Sequence, residues 1–229
     1  MNREITFPQI MDQLLALENP INIAGQRRFG IRGEHMLGIS IENLRRIARG
    51  VRDHELAALL WATGIHDARL LASMVDDPHL VTVDQMNSWV IDFDSWDLCD
   101  QVTNNLFSNV EQVLGQIPIW AGRDEEFIRR AAFSTLAAIA WHGNHYSDQT
   151  VAAFFPLIEE YASDERNFVK KAVNWSLRNI GKYRPDLRQQ AVASARRLAA
   201  CDDPTARWVG RDALREFEQK FGSEKMEII

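Results

Sequence analysis

An all-α fold of stacked antiparallel helix pairs is what this 229-residue sequence predicts, and three observations predict it. Apolar residues recur at helical spacing, cap signals precede several of these stretches, and helical segments repeat one another about 40 residues apart. Strand signals are weak: alternating β-branched runs bounded by Asn-Gly or Asp-Gly turns are missing.

Taken in chain order, Pro8 opens a stretch that sets Ile10, Met11, Leu14 and Leu15 on one face. Thr82 and Gln85 form a capping box ahead of Met86, Trp89 and Val90. Asp124 is placed to cap a further helix. Its first turn carries Glu125 and Glu126, which favour the positive end of the helix dipole, and Ile128, Ala132, Leu136 and Ile139 follow as an apolar stripe. Phe127-Ile128-Arg129-Arg130-Ala131-Ala132 is then echoed by Phe168-Val169-Lys170-Lys171-Ala172-Val173, 41 residues later. A looser echo sets Leu177-Arg178 against Leu214-Arg215, 37 residues on. Such offsets are those of HEAT or armadillo helix pairs, whose stacking buries a continuous apolar face and curves into a concave wall. Chance likeness among amphipathic helices is the alternative that these echoes leave open.

Length and composition fit a single domain spanning 1–229, with 46% hydrophobic residues and no unbroken apolar run long enough to cross a bilayer. The segment 1–8 holds Glu4 and an early Pro in place of a basic and then apolar leader, so a cytoplasmic protein is expected. Cys99 and Cys201 make neither a disulfide framework nor a zinc site, and both are expected to be reduced and buried. The net charge is −6, unfavourable for a phosphate-binding surface if spread evenly. It is not even: residues 164–216 carry twelve Lys/Arg against seven Asp/Glu, a net of +5, which leaves −11 for the rest. That basic third is available to nucleic acid, although a solvated face without a partner accounts for the charge equally well.

Familiar catalytic signatures are absent: no Gly-rich phosphate loop, no nucleophile elbow and no His-Glu-x-x-His. His142-Gly143-Asn144-His145 is the nearest thing to a metal pair but reads as the turn after a helix, so neither metal nor cofactor is expected. Two Trp-bearing segments stand out. In Ser95-Trp96-Asp97-Leu98-Cys99-Asp100, Ser95 can cap a helix that sets Trp96 and Asp100 on one face and turns Asp97 elsewhere. In the second, Lys171, Trp175 and Arg178 fall at i, i+4 and i+7, a cation–aromatic–cation stripe. Phosphates suit the cations and a sugar or cationic base suits the Trp face, while a core Trp overlaid by Lys and Arg stems fits the same spacing.

Together these segments resemble the DNA alkylation repair family of HEAT-like DNA glycosylases, the AlkD type, from about residue 14 to residue 217. The resemblance is carried by Trp96-Asp97-Leu98-Cys99-Asp100, by Arg129-Arg130-Ala131-Ala132, and by Val169-Lys170-Lys171-Ala172-Val173-Asn174-Trp175-Ser176-Leu177-Arg178. It implies that Trp96, Asp100, Arg130 and Trp175 form a cleft at the lesion. The family's Tyr on an N-terminal helix is matched by Phe29, which keeps the ring and loses the hydroxyl. The implied activity is excision of cationic N3- or N7-alkylated purines from double-stranded DNA, without obligatory base flipping; a monomer is expected as the simplest way to leave the concave wall accessible. Because such a base leaves without protonation, one carboxylate, Asp100, suffices where ordinary glycosidases use two. Lys170, Lys171, Arg178, Lys182, Arg207 and Arg211 are the candidate phosphate contacts. Two other readings stay open: a non-catalytic DNA-binding relative that recognises damaged or branched DNA, and a protein-interaction scaffold.

Overall fold

The structure, a computed structural model, describes residues 5–143 and 145–222. Its described secondary structure is helical, apart from one isolated bridge between His35 and Ile65. Two compact units divide the chain, Met1–Gln112 and Val113–Ile229. None of the described helices is long and apolar enough to cross a membrane.

In the first unit lie α1 (Phe7–Leu15), α2 (Pro20–Arg28), α3 (Ile41–Ala48), α4 (His54–Ala62), α5 (His66–Val75), α6 (Val83–Ile91) and α7 (Trp96–Asn105). Pro8 sits in the first turn of α1, where its missing N–H costs nothing, and Ile10 and Leu14 point into the core. Leu15, expected on that face, is exposed. Thr82 caps α6 by accepting from Gln85 N at 3.1 Å. The core of this unit includes Trp61 stacked on Trp89 with ring centroids 3.9 Å apart. Asp92 accepts the Trp61 indole N–H at 2.8 Å, which satisfies the ring's one polar atom.

The second unit holds α8 (Val113–Ala121), α9 (Glu126–His142), α10 (Asp148–Ala152), α11 (Phe155–Glu160), α12 (Asn167–Tyr183), α13 (Arg188–Ala199) and α14 (Pro204–Phe221). The echo of 41 residues is realised as two 17-residue helices, α9 and α12, packed side by side with Phe127 and Phe168 in contact at 5.5 Å. Buried amides of α12 stitch it to α9 and to α14 through backbone carbonyls. Asn179 Nδ2 donates to Ala137 O and Asn174 Nδ2 to Val209 O, each at 3.0 Å. Gly210 and Gly181 let the helices meet closely: a Cβ on Gly210 would lie 2.3 Å from Ala199 N, and one on Gly181 would lie 2.5 Å from the Phe217 ring.

Three local expectations are corrected. Helix α9 starts one residue later than Asp124 would set it, with Glu125 at the N-cap and no side-chain cap; the fully exposed Asp124 turns to Arg129 instead. Ser95 does occupy the N-cap of α7, but its hydroxyl meets Asp94 rather than the helix backbone. Cys99 is buried as expected, whereas Cys201 is exposed, because it follows the end of α13 in the turn to α14. Gly143 ends α9 where the His142-Gly143-Asn144-His145 turn was expected; Asn144 itself lies outside the described residues.

Candidate functional site

The site in the first unit is built from the start of α7. Trp96 opens that helix and Asp100 follows one turn later, both half-buried on one face, while Asp97 turns inward and is buried. The Trp96 indole is fixed: its Nε1 donates to the backbone carbonyl of Phe29 at 2.9 Å. Phe29 is the C-cap of α2, and its ring is 75% exposed. Trp96, Phe29, Ile21, Gln26 and Arg28 line one cavity of about 730 Å³.

Buried polar groups explain why Phe29 and Trp96 meet although 67 residues separate them. Asp67, fully buried at the start of α5, accepts from Leu37 N at 2.6 Å and from Ile39 N at 2.7 Å. The intervening Gly38 has φ +72°, and a Cβ there would lie 2.4 Å from Asn19 O, the N-cap of α2. Asn22 of α2 donates back to Gly38 O at 3.0 Å. Residues 37–39 thus clamp α2 to α5. The next link runs from α5 to α7, where His66 Nε2 meets Asp97 Oδ2 at 2.9 Å beneath the Trp96 turn. Burial pulls the His66 pKa down, but the Asp97 hydrogen bond and the charges of Asp97, Asp67 and Asp94 outweigh it, so the net shift is upward. His66 Nδ1 and Asp97 Oδ1 are buried without a hydrogen-bond partner among the described residues.

In the second unit Arg130 is buried on α9 and its Nη1 donates to Phe168 O, which ties α9 to the first turn of α12. Seven residues beyond Phe168, two helical turns, stands the half-buried Trp175. The expected cations fall into two groups. Arg178 is ion-paired with Asp212 at 3.1 Å and also with Glu216, and Lys182 with Glu216 at 2.8 Å, so acids of α14 neutralise both. Lys171 and Arg211 are exposed, Arg207 donates to the carbonyl of Cys201 at 3.3 Å, and Lys170 lies over the Trp208 ring at 5.4 Å. Among the described residues no group of three or more His, Cys, Asp or Glu could hold a metal ion.

The family model of the DNA alkylation repair enzymes matches residues 10–217. The chain belongs to that family. An uncharacterized protein of Listeria innocua is 26% identical over 205 residues, covering 84% of this chain and 86% of its own length. Another, from Listeria monocytogenes, is 24% identical over 197 residues with the same coverage. A solved structure matches with a TM-score of 0.77 at 19% identity, covering 95% of this chain and 97% of its own. It is described as a new family of proteins related to the HEAT-like repeat DNA glycosylases, with affinity for branched DNA structures. The all-α HEAT-like repeat fold expected from the echoes is therefore the fold of this DNA alkylation repair family member.

Sequence reasoning missed the buried network under Trp96 and the aromatic Trp208 of α14. His66, Asp67 and Asp97 are buried polar groups whose partners are about 30 residues away, and no local pattern announces such pairs. Trp208 carried a signal that went unused: an aromatic between Arg207 and Arg211 on a helix with a basic face.

Proposed function

We propose that this family member is an alkylpurine DNA glycosylase that hydrolyses the N-glycosidic bond of cationic N3- or N7-alkylated purines in duplex DNA. The observation that carries this reading is the pairing, on one half-buried face of α7, of a carboxylate at Asp100 with an indole at Trp96 that is held by the Phe29 carbonyl. As the bond breaks, its electron pair neutralises the positively charged base, which leaves without needing a proton. Positive charge appears on the sugar. The Asp100 carboxylate opposes that charge and takes the proton of the water that adds to the anomeric carbon. Trp96 offers a π-face to the same developing cation, and the exposed Phe29 ring offers apolar surface to the DNA.

The second unit contributes binding in this reading. Trp175 is assigned to the sugar and backbone near the lesion. Arg130, expected to hold phosphate, is buried, and in this reading it acts by fixing the start of the helix that carries Trp175, through its bond to Phe168. Lys170, Lys171, Arg207 and Arg211 supply phosphate contacts, with Arg178 and Lys182 engaging only by exchanging Asp212 and Glu216 for phosphate. The protein acts as a monomer on double-stranded DNA.

A second reading, DNA binding without base release, is favoured by one observation: the solved relative's affinity for branched DNA structures. The test is release of N7-methylguanine and N3-methyladenine from methylated duplex DNA at low salt by wild type and Asp100→Asn. The proposal expects release by wild type and a loss of about 100-fold or more in the variant, the scale of removing one charge-stabilising group, with DNA affinity preserved. Affinity for DNA with no release by either protein overturns it in favour of the second reading.

A further inference from the structure

Four of the seven Trp lie at or near the surface. Trp61, Trp89 and Trp120 are core residues, and Trp96 and Trp175 belong to the proposed site. Trp141 is exposed but stacked on His142 and flanked by Tyr183. Trp208 differs from all of these. It is 39% exposed on α14 and has an ammonium group, that of Lys170, at 5.4 Å from its ring. Arg207 and Arg211 flank it in sequence, and the same helix face forms a shallow cavity of about 250 Å³ with Pro204, Asp212 and Arg215.

The charges around this ring are unevenly committed. Asp212 is engaged by Arg178 and Arg215, Glu216 by Arg178 and Lys182, and Asp203 caps α14 through the N–H groups of Thr205 and Ala206. Asp202 remains as an exposed acid ahead of the helix. Against it stand Lys170, Arg207 and Arg211, with Arg207 and Arg211 one turn apart, about 6 Å along the axis. A surface that interleaves an open indole with cations suits a strand of nucleic acid whose bases are unpaired: phosphates meet the cations and a base stacks on the ring. A duplex offers phosphates but no free base face, because each base is already stacked between its neighbours.

We infer that Trp208, with Lys170, Arg207 and Arg211, forms a subsite for single-stranded DNA adjoining a duplex, where an unpaired base stacks on the indole. The inference rests on the reading that DNA is the ligand and adds which part of the DNA this surface takes. The experiment measures low-salt affinity by fluorescence anisotropy for a blunt duplex and for the same duplex with a single-stranded arm. Wild type, Trp208→Ala, Trp208→Phe and Arg207→Ala/Arg211→Ala are compared after circular dichroism has verified their fold. Wild type should prefer the armed duplex. Trp208→Ala should lose about 10-fold on that substrate, the scale of one base–aromatic stack, with its blunt-duplex affinity unchanged. Trp208→Phe should retain most of the preference, and the double arginine variant should weaken both substrates and lower the salt dependence. Equal binding of both substrates by wild type, or an unchanged preference in Trp208→Ala, overturns the inference while leaving duplex binding and base release intact. Failure of wild type to bind any DNA overturns the functional reading and the inference together.

Discussion

Removing Asp97 tests whether the buried pair under Trp96 positions the proposed site. In Asp97→Ala, the imidazole of His66, with a side chain only 1% exposed, loses the single hydrogen bond it makes, since its Nδ1 already has no partner among the described residues. Breaking a buried pair by deleting one partner costs about 3–5 kcal/mol when the remaining charge stays. Here His66 can shed its proton once the Asp97 charge is gone, so the cost approaches the lower figure for an unsatisfied neutral group plus one lost hydrogen bond, about 2–3 kcal/mol.

The pH dependence gives this prediction its sign. The folded-state pKa of His66 is raised, so the pair's stabilisation is fully present below the unfolded value of about 6.5 and is lost as pH rises through the higher folded value. The stability gap between wild type and Asp97→Ala should therefore be wide at pH 6 and narrow toward pH 9, while every other titrating group cancels in the difference. Asp97→Asn keeps an acceptor without the charge and should show a smaller gap with the same slope. Urea unfolding followed by Trp fluorescence at both pH values measures the gap. A gap that is constant, or widens with pH, refutes the argument that a protonated His66 holds α7. Base release should fall with the same pH profile in the variant, because the Trp96 and Asp100 turn rests on this pair.

Two further predictions concern the second unit. Gly210→Ala should lower the melting temperature despite the gain of up to about 1 kcal/mol in helix propensity, because its Cβ would meet the backbone of α13 at 2.3–2.5 Å and overpacking costs about 1–3 kcal/mol; Gly115→Ala, with nothing within 4 Å, should not lower it. Asp164 is disfavoured as an anion by burial, but hydrogen bonds from Arg166 and Arg129 overcome this and lower its pKa to about 2. The stability it contributes is present above its unfolded pKa and lost as pH falls toward 2, so Asp164→Asn should flatten acid unfolding between about pH 4 and 2, read by circular dichroism.

Periodic features were the legible ones. The stripe through Ile128, Leu136 and Ile139 and its echo 41 residues later became α9 and α12, because the apolar spacing that drives burial is written locally. The placement of Trp96 and Asp100 on one face was legible for the same reason, as was the turning away of Asp97. Where Asp97 turned to was not legible, because its partner lies on another helix, 31 residues earlier. The basic third of the chain had a similar limit. Its count of cations was readable, but Arg178 and Lys182 are held by Asp212 and Glu216 of α14, two helices on, which only packing reveals. Local side-chain choices misled where two short-range options compete, as at Asp124, which meets Arg129 in place of capping α9.

Phe29 stands where the resemblance sets a Tyr, and the missing hydroxyl weighs less on the geometry of the site than the sequence suggests. The tie between α2 and α7 runs from the Trp96 indole to the carbonyl of residue 29, a backbone group that any side chain leaves in place. What positions that carbonyl is the clamp of Asp67 on Leu37 and Ile39, together with Asn22 on Gly38, and none of these bonds involves the ring. Loss of the hydroxyl therefore alters only what the exposed ring offers to a ligand, an apolar face without a hydrogen bond, and leaves the positions of Trp96 and Asp100 to the buried polar network beneath them.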